Sequence, residues 1–262
     1  MDGFLDLRPA DLPVLVLVLF RVTGVALVAP VLGSSAAPAM TRVLLSVFLA
    51  LVFFPIVRGA APLGPEPSLA SLGLAAAAEL GVGLLIGFAA FLLFAAVQLG
   101  GHLIDQELGI LQSNLLDPFA DAPVSVIGQF KLLLATAVYL LLNGHHLLIS
   151  AVGDSFRAVP LAGARPAGVL GPVADGMALD LFRTAVQIAA PALVTLFLVT
   201  IALAFMARAV PEMNLFTFSF PVRLGVGLLV VAVGVGLFRT VFESGLGRNA
   251  DSVFRLVGAL GG

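Results

Sequence analysis

The sequence predicts an all-α, membrane-associated protein of about six long helices in hairpins, packed into a larger helical assembly. Three observations carry that prediction. Of 262 residues, 60% are hydrophobic and only 11% charged, where an ordinary soluble domain is about a quarter charged; mean hydropathy is +1.15. The apolar residues gather in runs of helical length between glycine, proline and polar clusters. No stretch alternates apolar and polar residues long enough to build a barrel, and no fixed-period repeat is present.

The runs are Leu12–Leu32, Val43–Val57, Leu69–Leu99, Val126–Val152, Leu179–Val210 and Val222–Phe238. A simple span needs about 20 apolar residues. The first run has that length. The second is short and carries Pro55 near its end, while the third and fifth are over-long and contain Glu79 and Arg183. Such uneven lengths suit helices that pack against one another without each crossing a flat bilayer. Connections are expected at Gly33–Pro38, Gly59–Pro67, Gly100–Pro123 and Val159–Gly176. The third of these is the polar centre of the chain, with His102, Asp105, Gln106, Glu107, Gln112, Asn114, Asp117 and Asp121. A last polar bend runs from Val210 to Arg223, bounded by Pro211 and Pro221, both of which interrupt a helical hydrogen-bond ladder.

Several function classes are excluded or disfavoured. Thirteen Lys and Arg against fifteen Asp and Glu give a net charge of −2, with no basic block for nucleic acid or a lipid anchor. The absence of cysteine removes disulfides, thiolate metal sites and thiol nucleophiles. An acidic start (Asp2, Asp6, Asp11) without a small-residue cleavage site predicts no cleaved signal peptide. Gly81-Val82-Gly83-Leu84-Leu85-Ile86-Gly87 lacks the Lys-Ser/Thr of a phosphate loop; Gly83 and Gly87 fit small-residue helix packing instead. His145 and His146 are adjacent, so their side chains diverge by about 100° on a helix and suit a metal poorly. Asn143 and His145 are expected to make helix–helix hydrogen bonds. Of the ionisable groups inside apolar runs (Arg21, Glu79, Lys131, Arg183), Arg21 and Arg183 lie near run ends, where snorkelling explains them as well as function does. Glu79 is harder to dismiss: an inter-helix hydrogen bond is the first reading and a proton relay the second. No nucleophile elbow or paired carboxylates suggest catalysis.

The polar stretches resemble, in order along nearly the whole chain, the FliR family of type III secretion export-gate subunits. The matching residues are Phe20-Arg21-Val22-Thr23-Gly24 with Ala29-Pro30, then Phe94-Ala95-Ala96-Val97-Gln98-Leu99-Gly100-Gly101 with Ile104-Asp105-Gln106 and Gly109. They continue with Asn143-Gly144-His145-His146-Leu147, Ser155-Phe156 and Pro160, then Ala189-Ala190-Pro191 and Arg208-Ala209-Val210-Pro211-Glu212-Met213-Asn214-Leu215-Phe216. Glu212 departs from the glutamine of many members.

The resemblance implies a non-enzymatic subunit, without cofactor or metal, of the flagellar export gate in the bacterial inner membrane and basal body. Its implied partners are FliP, FliQ and FlhB, and its implied cargo is unfolded flagellar proteins. Residues 1–180 would be FliP-like and 181–262 FliQ-like. The family's plug loop falls near 109–123, with Gly109, Ile110, Leu111, Leu115, Leu116, Asp117, Pro118 and Phe119 as its residues; leucine and polar residues stand where the family has phenylalanines. Arg21, Gln98, Gly101, Asp105, Gln106, Asn143, Gly144, His145, Pro191, Arg208, Pro211, Glu212, Met213, Asn214, Phe216 and Pro221 would be assembly residues. Counting arginines over six spans puts both termini in the cytoplasm, whereas the resemblance turns the Val210–Phe220 bend to the cytoplasmic entrance; the resemblance is preferred. The rival reading is a proton-coupled small-molecule transporter with Glu79 and His145 on its path.

Overall fold

Proline and glycine punctuate this chain, and the helices start and stop largely where they permit. The computed structural model describes residues 8, 11–31, 33, 38–58, 68–110, 125–163, 170–209 and 215–261. Among these the chain is all-α, with eight helices: α1 (Leu12–Val28), α2 (Ala39–Val57), α3 (Leu69–Leu108), α4 (Val126–Leu141), α5 (Gly144–Ala158), α6 (Leu170–Ala209), α7 (Leu215–Val233) and α8 (Val235–Gly261). Pro13 lies in the first turn of α1, where its missing N–H would go unpaired anyway. Ala29, pressed toward extended geometry by Pro30, ends that helix at ψ 144. Ser68 caps α3, its hydroxyl accepting from the Ser71 N–H at 3.2 Å, and Gly109 closes the same helix with φ 79.

The structure refines the six-run reading in four places. The run 126–152 is two helices, because Asn143 takes a left-handed conformation (φ 56) that no helix interior accommodates. The last run is divided at Gly234, between α7 and α8. α3 continues to Leu108, so residues 100–108 are helical and not loop; likewise α6 starts at Leu170, inside the expected Val159–Gly176 connection. Finally, α2 is 19 residues long, and α7 begins at Leu215 and carries Pro221 inside it. Pro221 forfeits one hydrogen bond. Unwinding the segment in apolar surroundings would forfeit many more.

Among the described residues three helices are long and apolar enough to cross a membrane (Ala39–Val57, Leu69–Leu108 and Val173–Ala209), or up to five spans if each broken pair counts as one. The arginine count assumed six spans, more than the described helices supply by length and composition. At 40 residues each, α3 and α6 extend to about 60 Å, twice the roughly 30 Å of a hydrocarbon core.

The chain groups into two compact units that interleave in sequence: Met1–Leu92, Asn143–Ala178 and Gly247–Gly262 form the first, Leu93–Leu142 and Leu179–Leu246 the second. The first buries Leu17, Val18, Ile86 and Leu161 almost completely. α1 and α3 meet closely in it: a Cβ at Gly24 would strike the Leu80 carbonyl oxygen, and one at Gly83 the Arg21 carbonyl oxygen. Small-residue packing is thus the role of Gly83. The second unit is centred on Ile104, Leu108, Ile127, Ala189 and Leu196, with Phe94 edge-on to Tyr139 and Phe242 at 5.3 and 6.0 Å.

At the base of the first unit, Asp11 accepts from the Arg58 guanidinium at 2.5 Å and from the Arg8 backbone N–H at 3.1 Å. The Arg58 hydrogen bond is the largest influence holding the Asp11 carboxyl below its usual range; partial burial opposes it, and the Arg8 N–H adds to it. A depressed folded-state value means that the contact stabilises above the unfolded aspartate pKa of about 3.9. That contribution is lost as pH falls through the lower folded value. A carboxyl-carbon NMR titration in detergent is expected to place Asp11 below the ordinary midpoint, with Arg58→Gln raising it.

Candidate functional site

Two clusters of buried polar side chains stand out in this apolar chain, one in each unit. The first begins with Arg21, fully buried on α1. Its Nε donates to Glu79 Oε2 on α3 at 2.5 Å, its Nη1 to the Ser155 carbonyl at 2.9 Å, and its Nη2 to the Val159 carbonyl at 3.0 Å. The guanidinium lies 4.5 Å from the Phe156 ring centroid. Glu79, also fully buried, accepts with its other oxygen from the Ala162 N–H at 2.8 Å. One ion pair therefore joins α1, α3, the C-terminal end of α5 and the turn after it. The Val159 carbonyl lies past the end of α5, where helix carbonyls lack intrahelical donors, whereas the Ser155 carbonyl also accepts from the Val159 N–H at 2.9 Å.

This settles several expectations. Arg21 does not snorkel: its three guanidinium nitrogens are turned inward onto a carboxylate, two carbonyls and the Ser155 hydroxyl. Glu79 makes an inter-helix contact as expected, as half of an ion pair. Arg183, by contrast, is exposed.

The second cluster lies at the base of residues 111–124, between α3 and α4. Asp105, fully buried near the end of α3, accepts from the Ser125 hydroxyl at 2.5 Å and from the Ile127 N–H at 3.1 Å to either oxygen. Ser125 is the N-cap of α4 and accepts from the Gly128 N–H at 3.0 Å. Negative charge at a helix N-terminus also meets the positive end of its dipole. Gly101 and Gly128 pack so tightly that a Cβ on Gly101 would overlap the Gly128 backbone. The end of α3 and the start of α4 are thereby fastened together. Asp105→Ala should cost about 1–3 kcal/mol by orphaning buried donors. Hydrogen exchange should then accelerate at Ile127 and Gly128 while the middle of α3 stays protected; unchanged exchange there would dismiss the clasp.

The remaining expected residues are dispersed. Gly109 and Ile110 follow α3, whereas Leu111, Leu115, Leu116, Asp117, Pro118 and Phe119 lie outside the described residues, as do Pro211, Glu212, Met213 and Asn214. Phe216 begins α7, its side chain likewise outside them. Gln98, Gln106 and Arg208 are exposed on α3 and α6, Pro191 is inside α6, and Pro221 is exposed on α7. Among the described residues, Asn143 and His145 make none of the expected helix–helix bonds. Asn143 forms the break before α5, its carbonyl accepting from the His146 N–H at 2.9 Å, and His145 Nδ1 has no partner among the described residues. Gly144 is buried at that break. Ser125 was missed as a site residue, although a serine directly before an apolar run is a recognisable helix start. The N–H of Ala162 left no signal, being a backbone group.

Comparison with known proteins adds to this geometry. The sequence pattern of the family described as "Bacterial export proteins, family 1" matches residues 12–248. The chain is 30% identical over 267 residues to flagellar biosynthetic protein FliR of Bacillus subtilis, covering 100% of this chain and 99% of that one. It is 26% identical over 220 residues to flagellar biosynthetic protein FliR of Caulobacter vibrioides, covering 84% and 87%. Similarity extends to Yop proteins translocation protein T of Yersinia pestis, at 29% over 195 residues and 71% of each chain.

Proposed function

The chain belongs to the bacterial export proteins, family 1, and from that premise we propose that it is a subunit of the flagellar type III export gate. In this reading it forms, with FliP and FliQ and with FlhB at the entrance, the inner-membrane channel for unfolded flagellar proteins, at the basal body. The FliP-like part would be residues 1–180 and the FliQ-like part 181–262. The 210–220 segment would face the cytoplasmic entrance. The 109–123 segment would act as the plug; its leucines and Phe119 suit a dewetted constriction that a passing chain can displace.

The observation that supports this reading best is how the buried charges of the first unit are used. Arg21 and Glu79 are spent on each other and on backbone groups of the same unit, which suits a structural subunit and leaves no buried carboxylate uncommitted among the described residues of that unit. The Asp105 clasp suits it equally, since a plug needs a fixed base. No catalysis is proposed. The transporter reading keeps Glu79 and His145 on a path, but Glu79 is occupied by Arg21.

Native mass spectrometry of the detergent-extracted protein, expressed alone and with FliP and FliQ of the same genome, tests the proposal. One copy within a large mixed particle is the expected result. A monomer or homodimer in both preparations would overturn it and favour the transporter.

A further inference from the structure

α4 carries a cation that the described residues do not neutralise. Lys131 is 5% exposed, and its Nζ stands 4.9 Å from the Phe238 ring centroid. Among the described residues it takes part in no hydrogen bond or ion pair. A buried ammonium is costly, and a ring face offsets only part of that cost.

Lys131 helps to wall a cavity of about 20 Å³ in the second unit, with Gln187, Pro191, Gly234, Leu237 and Phe238 among its neighbours. Two helices are interrupted there: Pro191 cannot donate to the Gln187 carbonyl, and α7 gives way to α8 at Gly234. Leu237 is 51% exposed, so the rim on that side is open and apolar. The space holds a water-sized group or the oxygens of a carboxylate; it is small for a phosphate headgroup.

We infer that this cavity docks one carboxylate side chain, an aspartate or glutamate carried on an apolar helix of another gate subunit. The inference rests on the gate reading above, in which this chain packs laterally against other helices. Charge complementarity selects an acid, because among the described residues the cation otherwise has only the ring of Phe238. The size of the cavity selects a carboxylate over a lipid phosphate. The apolar rim selects an apolar helix as its carrier, which would shield the pair from water once seated. Such a contact fixes register, since the acid must stand at the height of Lys131.

The test uses the co-expressed complex in detergent, treated with dicyclohexylcarbodiimide. That reagent activates a carboxylate, and an amine in contact displaces the urea to form an amide. The expected result is a peptide joining Lys131 to an Asp or Glu of another chain. Lys131→Met should, in parallel, leave the isolated chain at least as heat-stable as the wild type, while incorporation at limiting partner falls by about tenfold or more. If Lys131→Met does not fold, glutamine in place of the cross-linked acid on the partner is expected to give the same loss. Absence of the cross-link, or wild-type incorporation of the variant, overturns the inference, as does an anionic phospholipid retained by the wild type and lost from Lys131→Met. A wild-type chain that joins no partner fails the gate reading itself and this inference with it, an outcome distinct from the others.

Discussion

Glu79→Gln is expected to lower the stability of the detergent-extracted chain by about 3–5 kcal/mol, the usual consequence of breaking a buried ion pair from one side. Arg21 is fully buried beside it, and a guanidinium cannot shed its proton to escape the loss of its counter-charge. The Ser155 and Val159 carbonyls remain as acceptors, but dipoles do not replace a charge. Arg21→Met should destabilise as well, because it leaves the Glu79 carboxylate buried without its counter-charge. The double variant should cost clearly less than the sum of the singles, since neither charge is then left alone. A matched control is Glu243→Gln, which removes an exposed partner of Arg239 on α8 and should change stability by no more than about 0.5 kcal/mol. Thermal or denaturant unfolding followed by circular dichroism supplies the numbers. A Glu79→Gln protein within about 1 kcal/mol of wild type would mean that the pair is not holding the helices.

How far the sequence speaks for this arrangement differs between its parts. The all-α class was legible because the apolar runs and their glycine and proline boundaries reflect only local chemistry. So was the closeness of Gly83 to a neighbouring helix, since a glycine inside an apolar run has few other uses. What was not legible is pairing. Arg21 and Glu79 are separated by 58 positions, and nothing in either neighbourhood names the other; the sequence shows two costly charges and leaves open that each settles the other. The break at Gly234 was hidden for a different reason: hydropathy continues through it, and only backbone conformation changes. At Asn143-Gly144-His145-His146 a polar turn signal stood in the sequence, and the apolar run was read across it. Conversely, the polarity of residues 100–108 resembled a loop because exposed His102, Gln106 and Glu107 share that stretch with buried Ile104 and Asp105, a mixture that a helix with one packed face also produces.

The close passage of α1 over α3 leads to a second large effect, with an internal control two residues away. Gly83→Leu places a Cβ where the Arg21 carbonyl oxygen already is, with the Val25 N at 3.0 Å. The obstacles are backbone atoms of a helix, not the end of a flexible side chain, so the collision cannot be relieved by a rotamer change. Overpacking usually costs about 1–3 kcal/mol even where side chains can yield; here the helices themselves must separate, and displacing α1 would also pull Arg21 from Glu79. The variant is expected to lose more than that range, to be recovered in low yield and to unfold well below the wild type. Gly81→Ala should behave in the opposite way. Nothing lies within 4 Å of a Cβ at that position, so the substitution only removes unfolded-chain freedom and gains about 0.5–1 kcal/mol of helix preference. If both variants prove equally harmful, the loss comes from α3 tolerating no substitution in this stretch. If only Gly83→Leu is harmful, the crossing of α1 on α3 is what brings Arg21 to its carboxylate, and the small residue and the buried charge are one device.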